Sequence, residues 1–339
     1  MEAIEIDGSY GSGGGQVLRT SLGLSAVTGK PCRITNIRAR RPSPGLRPQH
    51  LICVEAVARL CDAEVSGASL GSKEVVFRPG KIGHGPVISE VGTAGSVTLV
   101  LQALMIPAVH APGPVELYIS GGTHVAWSPT TGYFRHAFSE YMRMMGIPIE
   151  SSTKLYGYYP KGGGSIEARV TPGNIKAITL EERIGKPTTE AWSNASRQLM
   201  RSGVGERQLK GAEAVIKIDR KNVKYVPSSS IGSSITMASS FGNCFLCSSA
   251  LGSRGKPAEK VGEEAASELK QVLGTKATVD RHMADQIIPY MALAGGKSAV
   301  LAPEITEHTS TNIWVTEKFT GARFGISQKD GCFRISCKP

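Results

Sequence analysis

Residues 24–37 read LSAVTGKPCRITNI. Apolar residues at helical spacing run up to Gly29, and a Lys-Pro step then opens a run of β-formers. Glycine just past a helix end adopts the left-handed turn that closes the last carbonyls, and Val/Ile residues after a Pro start a strand. The same order returns as MIPAVHAPGPVELYIS at 105–120, YMRMMGIPIESS at 141–152 and YMALAGGKSAVLA at 290–302. Four copies of one unit predict an α/β (α+β) fold of repeated two-layer α–β units, helices on sheets, and not one doubly wound sheet.

Several helices are readable around these units. Gln49–Cys61 follows Pro48 and carries Leu51, Val54, Val57 and Cys61 on one face. Tyr133–Met145 carries Phe134, Phe138 and Tyr141, with Ser128 or Thr130 as its cap. The stretch 182–279 breaks the repeat. It reads as a basic, polar helix around Trp192–Arg201, a Ser-rich strand pair around Val223–Ser249 and a Glu/Ala/Lys-rich helix at 257–273. The expected organisation is a core of repeated units, 1–181 and 280–339, with a smaller α–β domain inserted at 182–279.

The chain has 339 residues, 40% hydrophobic and 20% charged, a balance that argues against disorder. Glycine numbers 40 without a G-X-Y period, which excludes collagen and points to tight turns or backbone close to a ligand. Lys and Arg outnumber Asp and Glu by 39 to 28, a net +11. A polyanion, nucleic acid or nucleotide, is therefore a candidate partner, with a plain solvated basic surface as the alternative. The most apolar run, Val97–Val109, is interrupted by Thr98, Gln102 and Pro107 and is too short to span a bilayer. MEAIEIDGSY has neither a basic start nor an apolar signal core, so a cytoplasmic location is expected. The seven cysteines are scattered and odd in number, unlike a disulfide framework. Cys244 and Cys247 form a CxxC in a strand-like run, where residues three apart face opposite sides and share a metal poorly.

Four segments could carry chemistry. Asp7-Gly8-Ser9-Tyr10-Gly11-Ser12-Gly13-Gly14-Gly15-Gln16 joins a short strand to a helix, and free N–H groups there favour an anion. It fits neither the dinucleotide fingerprint nor Walker A, where Gly14 stands in place of the lysine. Gly296-Lys297-Ser298 ends like a P-loop, but Met291 occupies the first glycine position. Ile37–His50 holds Arg38, Arg40, Arg41, Arg47 and His50 in a Pro-stiffened loop, and guanidinium forks suit phosphate oxygens. Ala94–Gln102 opens an apolar helix on which Gln102 is the lone large polar group, a core hydrogen-bonder or a ligand contact. His308 is expected in a polar loop between a strand at Ala299–Leu301 and an alternating strand carrying Ile313 and Val315. A histidine beside hydroxyls there is a surface residue, or a nucleophile or acid/base. Asp285-Gln286 adds an acceptor pair near a helix start.

Taken together, DGSYGSGGGQVLR, IRARRPSPGLRPQHL, GTAGSVTLVLQ, SGGTHVAWSP, YYPKGGG, HMADQIIPYMALAG and HTSTNIWVTEKF resemble the RNA 3′-terminal phosphate cyclase family, in that family's order. The resemblance implies a core related to the enolpyruvyl transferase fold plus a small inserted domain. It implies ATP as co-substrate, RNA 3′-phosphate ends as partner and a divalent metal, Mg or Mn. It also implies three steps: attack of a histidine on the ATP α-phosphorus, transfer of AMP to the RNA 3′-phosphate, and closure by the 2′-OH to a 2′,3′-cyclic phosphate. By position, His308 matches the nucleophile. Gln102, Pro129 and the run His282, Met283, Ala284, Asp285, Gln286 match the nucleotide pocket. Gln16, Arg19, Arg38, Arg41, Gln49 and His50 match groups around the phosphates and the RNA end. Two positions depart: Ser12 stands where bacterial members carry a metal-associated Glu, and His282 where a Tyr is common there. Non-catalytic, cyclase-like RNA-binding factors are the competing class; they lack the histidine that this chain has at 308.

Overall fold

A computed structural model describes residues 2–339. Three four-stranded sheets share one plan, β-α-β-α-β-β. In the first, β1 (Ile4–Asp7) pairs parallel with β2 (Cys32–Thr35) across α1 (Gly15–Thr28). Helix α2 (Pro48–Leu60) then leads to β3 (Glu64–Ser66) and β4 (Val75–Arg78), and β4 lies antiparallel to both β2 and β3.

The second sheet repeats the plan. β5 (Gly85–Glu90) pairs parallel with β6 (Val115–Gly121) across α3 (Val97–Ala108). The next helix begins as α4 (Thr131–Tyr133), passes through one π turn at Phe134–Phe138 and ends as α5 (Ser139–Met144). β7 (Ile149–Leu155) and β8 (Gly164–Val170) close the sheet antiparallel. The four helix–glycine–strand junctions read from sequence all occur, and Gly29 and Gly146 stop their helices at φ 68 and 85.

The third sheet starts with β9 (Thr179–Leu180), and β10 to β13 intervene before it resumes. These are β10 (Thr188–Ser196), β11 (Arg220–Val226), β12 (Ser233–Ser240) and β13 (Phe245–Leu251), with α6 (Val204–Glu213) and α7 (Ala258–Leu273) on one face. They form a separate sheet in the order β11-β10-β12-β13. The third plan then continues through α8 (Met283–Gln286), α9 (Ile288–Leu293), β14 (Ser298–Ala302), α10 (Glu307–Thr320), β15 (Arg323–Lys329) and β16 (Cys332–Lys338). Its pairings match the first two sheets: β9 parallel to β14, and β16 antiparallel to β14 and β15.

Helices α1 and α3 are buried nearly all round, which explains their apolar sequences; α1 packs against α2, α3 and α10 at the centre. The sheet β10–β13 is bolted to this core by two tyrosines. Tyr141 Oη lies 2.6 Å from the Thr278 carbonyl and 2.9 Å from that of Phe245, and Tyr133 Oη donates to Asp280 at 2.7 Å.

Two sequence expectations are corrected. His308 is not in a loop: it is the second residue of α10. The β-branched run Thr309, Thr311, Ile313, Val315 imitates strand alternation, but Thr306 caps the Thr309 N–H, Gly321 (φ 77) ends the helix, and packing on α1 overrides propensity. The segment Trp192–Arg201 is not a helix. It is the end of β10, hydrogen-bonded on both edges, followed by a 3-10 turn at Arg197–Ser202. All seven cysteines are buried and free, and burial pushes the Cys247 thiol well up, making it inert. Among the described residues no helix is long and apolar enough to cross a membrane.

Candidate active site

A cleft opens where α1, α3, α8 and α10 meet. Gln16 and Arg19 enter it from α1, Gln102 from α3, Asp285 and Gln286 from α8, and Asn312 from α10. Asn312 ties the walls: its amide accepts from Thr20 Oγ1 at 2.8 Å and donates to the Asp285 carbonyl at 2.8 Å. Neither Thr20 nor Asn312 stands out in the sequence, because a polar pair across 292 residues leaves no local signal.

His308 joins the cleft through Gln16. Its Nδ1 lies 2.5 Å from Gln16 Oε1 and 3.5 Å from Ser12 Oγ. A carbonyl oxygen can only accept, so Nδ1 carries the proton and Nε2 keeps its lone pair. The pKa of His308 lies below its ordinary value, through burial first and then through the cations Arg19 and Arg41 and the neighbouring His282. The ring is therefore neutral at pH 7 and still open to solvent.

The glycine loop follows from close approach. A Cβ on Gly11 (φ 56) would strike the Thr311 hydroxyl, one turn along α10 from His308. A Cβ on Gly15 would strike His50 Nε2, and one on Gly14 would stand 2.9 Å from an Arg41 nitrogen. The loop thus lies between α10 and the arginine-rich segment. It begins in a turn where Asp7 Oδ1 accepts from Ser9 N, Ser9 Oγ and Asn36 Nδ2. Gly14 supplies no side-chain cap to α1, whose first turn holds no acidic residue. Its amides remain available to an anion.

Around this loop the cations take different parts. Arg38 sits at φ 56 and turns its guanidinium onto the carbonyls of Ser43 (2.5 Å) and Gly45 (3.0 Å), so it braces its own loop. Arg41 is exposed. His50 is buried with Nδ1 unpartnered, and burial together with Arg19, Arg38 and Arg47 pushes its pKa down to about 3. It is a neutral group beneath the glycines.

Gln49 and Pro129 meet at the start of α3 and do not line the cleft. Gln49 Oε1 accepts from Ser96 N at 2.9 Å, and the Pro129 carbonyl accepts from Thr98 Oγ1 at 2.7 Å. Gln102 lies one turn beyond Thr98 and does face the cleft.

The 282–286 run hangs on Asp280, a residue absent from the sequence reading. Asp280 is buried; Oδ1 accepts from the backbone N–H groups of His282 (3.0 Å) and Met283 (2.9 Å), and Oδ2 from that of Cys247 (3.2 Å). An Asp three residues ahead of a helix start is its available signal. His282 sits 3.3 Å from Glu268 Oε1 on α7 and edge-on to Tyr133. Met283 and Ala284 are buried. Desolvation pushes the Asp285 carboxyl up to about 7, against the pull of His282 and Arg19.

Comparison with known proteins adds an independent finding. The sequence profile described as RNA 3′-terminal phosphate cyclase matches residues 10–326. The RNA 3′-terminal phosphate cyclase of Methanosarcina barkeri is 45% identical over 336 residues, 98% of this chain and 99% of the relative. That of Pyrococcus furiosus is 45% identical over 330 residues, 95% of each. The solved enolpyruvyl transferase NikO from Streptomyces tendae, 10% identical, covers this chain fully and 83% of its own with a TM-score of 0.28, too slight a likeness to carry weight. With that profile spanning most of its length and such relatives aligned nearly end to end, the chain belongs to the RNA 3′-terminal phosphate cyclase family.

Proposed function

We propose that this chain converts an RNA 3′-terminal phosphate to a 2′,3′-cyclic phosphodiester at the expense of ATP, through a covalent His308–AMP. The observation that carries the reading is the His308–Gln16 pair, a neutral imidazole with its second nitrogen free beside an anion-ready helix start. In the first step Nε2 bonds to the α-phosphorus, the bond to the β-phosphate oxygen breaks, and pyrophosphate leaves. Gln16 holds the Nδ1 proton and steadies the positive ring. Next an oxygen of the RNA 3′-phosphate takes the AMP and the P–N bond breaks. The vicinal 2′-oxygen then attacks the RNA phosphorus, its proton is lost, and AMP leaves. A phosphate dianion has no good leaving group of its own, and AMP supplies one.

Arg19, Arg41 and the open amides of α1 are the groups available to phosphate oxygens. Nucleotide contacts are assigned to Gln102, Asp285 and Gln286 in the cleft and to the exposed His282; Pro129 and the buried Met283 and Ala284 lie outside its lining and support it from behind. For the divalent cation the donor set is thin. Ser12 offers one hydroxyl near His308, Asp285 is a carboxyl with a pKa of about 7, and no group of three His, Cys, Asp or Glu is placed to hold a metal among the described residues. Such donors do not fit a resident protein-held ion. They fit a cation that arrives on the ATP phosphates.

The test is incubation with α-labelled ATP and Mg or Mn. The protein should acquire acid-labile, base-stable label, and His308→Ala should acquire none. Label retained by that variant would overturn the assignment.

A further inference from the structure

The glycine loop is laid along α10 in register. Tyr10 stacks on Trp314, Gly11 seats on Thr311, and Ser12 faces His308, so successive loop residues meet the helix at intervals of three. Tyr10 therefore stands six helical residues from His308, about 9 Å along the axis at ~1.5 Å per residue. Its ring lies 4.0 Å from that of Trp314 and 13° from parallel. That stack uses one face; the residue remains 42% exposed. Cations stand at both ends: Lys318 Nζ is 5.1 Å from the Trp314 ring, and the Arg40 guanidinium donates to the Gly11 carbonyl at 2.8 Å.

We infer that the open face of Tyr10 seats the base of the nucleotide immediately 5′ to the phosphorylated RNA end. This rests on the proposed function and names a second-nucleotide subsite for it. A flat ring held rigid from below loses little freedom when a base settles on it. Flanking cations suit the phosphates on either side of that base. Every base has a π-face, so the subsite accepts any sequence, which suits a protein that acts on ends. Trp314 and the Gly11–Thr311 contact set the height and tilt of the platform.

Binding of a 3′-phosphorylated RNA octamer is measured without ATP, against the same octamer abasic at the penultimate position. The wild type should prefer the intact RNA by about tenfold, the usual size of one base–aromatic stack. Tyr10→Phe should keep that preference, and Tyr10→Ala should lose it. A wild type that binds both RNAs alike overturns the inference. So does a Tyr10→Ala protein that still prefers the intact RNA, the result expected if the stack merely clamps the loop. Adenylylation plays no part in this measurement, so failure to take label from ATP counts against the proposed reaction and leaves this result readable.

Discussion

At the scale of single residues the site depends on protonation states. The pKa of His308 is depressed, so its imidazole stays neutral below the ordinary value of ~6.5. The acid limb of label uptake from ATP should accordingly lie below pH 6.5. Arg19→Gln removes a nearby cation and should move that limb toward higher pH, as a pH–rate profile will read. Gln16→Leu takes away the acceptor that fixes the Nδ1 tautomer; uptake should fall ~10–100-fold with little change in the melting temperature. Asp285 behaves in the opposite sense to a salt-bridged acid. Its folded pKa of about 7 exceeds the ordinary aspartate value of 3.8, so it adds stability at low pH that is lost as pH rises through 7. Asp285→Asn should therefore raise stability at pH 8, by on the order of 1 kcal/mol for a part-exposed group, and flatten the slope between pH 4 and 7, as denaturant titrations will measure.

At the scale of elements, short polar devices set the direction of the chemistry-bearing turns. Thr306 is the N-cap of α10, and its loss should cost about 1 kcal/mol and fray the turn that holds His308. Thr306→Ala should lower both the melting temperature and label uptake, and Thr306→Ser should restore both. Asp280 holds three backbone amides and the Tyr133 hydroxyl in a buried position. Asp280→Ala leaves these donors unpaired and should destabilise by ~3 kcal/mol or more. Hydrogen exchange should then quicken at His282 and Met283 ahead of the rest of the core. The repeat unit was readable because glycine stops and β-branched starts are local signals. The α10 helix is hidden in the sequence because its residues prefer strand, and only packing against α1 reverses that preference.

At the scale of the whole molecule, three copies of one β-α-β-α-β-β plan gather their helices at the centre. The fourth sheet joins them through Tyr141, whose hydroxyl meets the Phe245 and Thr278 carbonyls. Tyr141→Phe should cost about 1–2 kcal/mol and increase amide exchange in β13 before β6. The net charge of +11 adds a second expectation: RNA affinity should fall linearly with the logarithm of salt concentration, and Arg41→Ala should make that slope shallower.

The order of residues alone determined the repeated α–β unit, the glycine loop before α1, the apolar α3 helix with Gln102 as its lone large polar group, and the set of motifs that places the chain in its family. These are short-range facts: a stop, a start, a period, a spacing. Tertiary structure alone decided that His308 donates its Nδ1–H to Gln16 and that Asn312 ties α1 to α8. It also decided that Arg38 braces its own loop and that Gln49 and Pro129 meet at the start of α3. Residues hundreds apart in sequence leave no local trace of their contact, and the direction of a side chain is set by the packing beneath it.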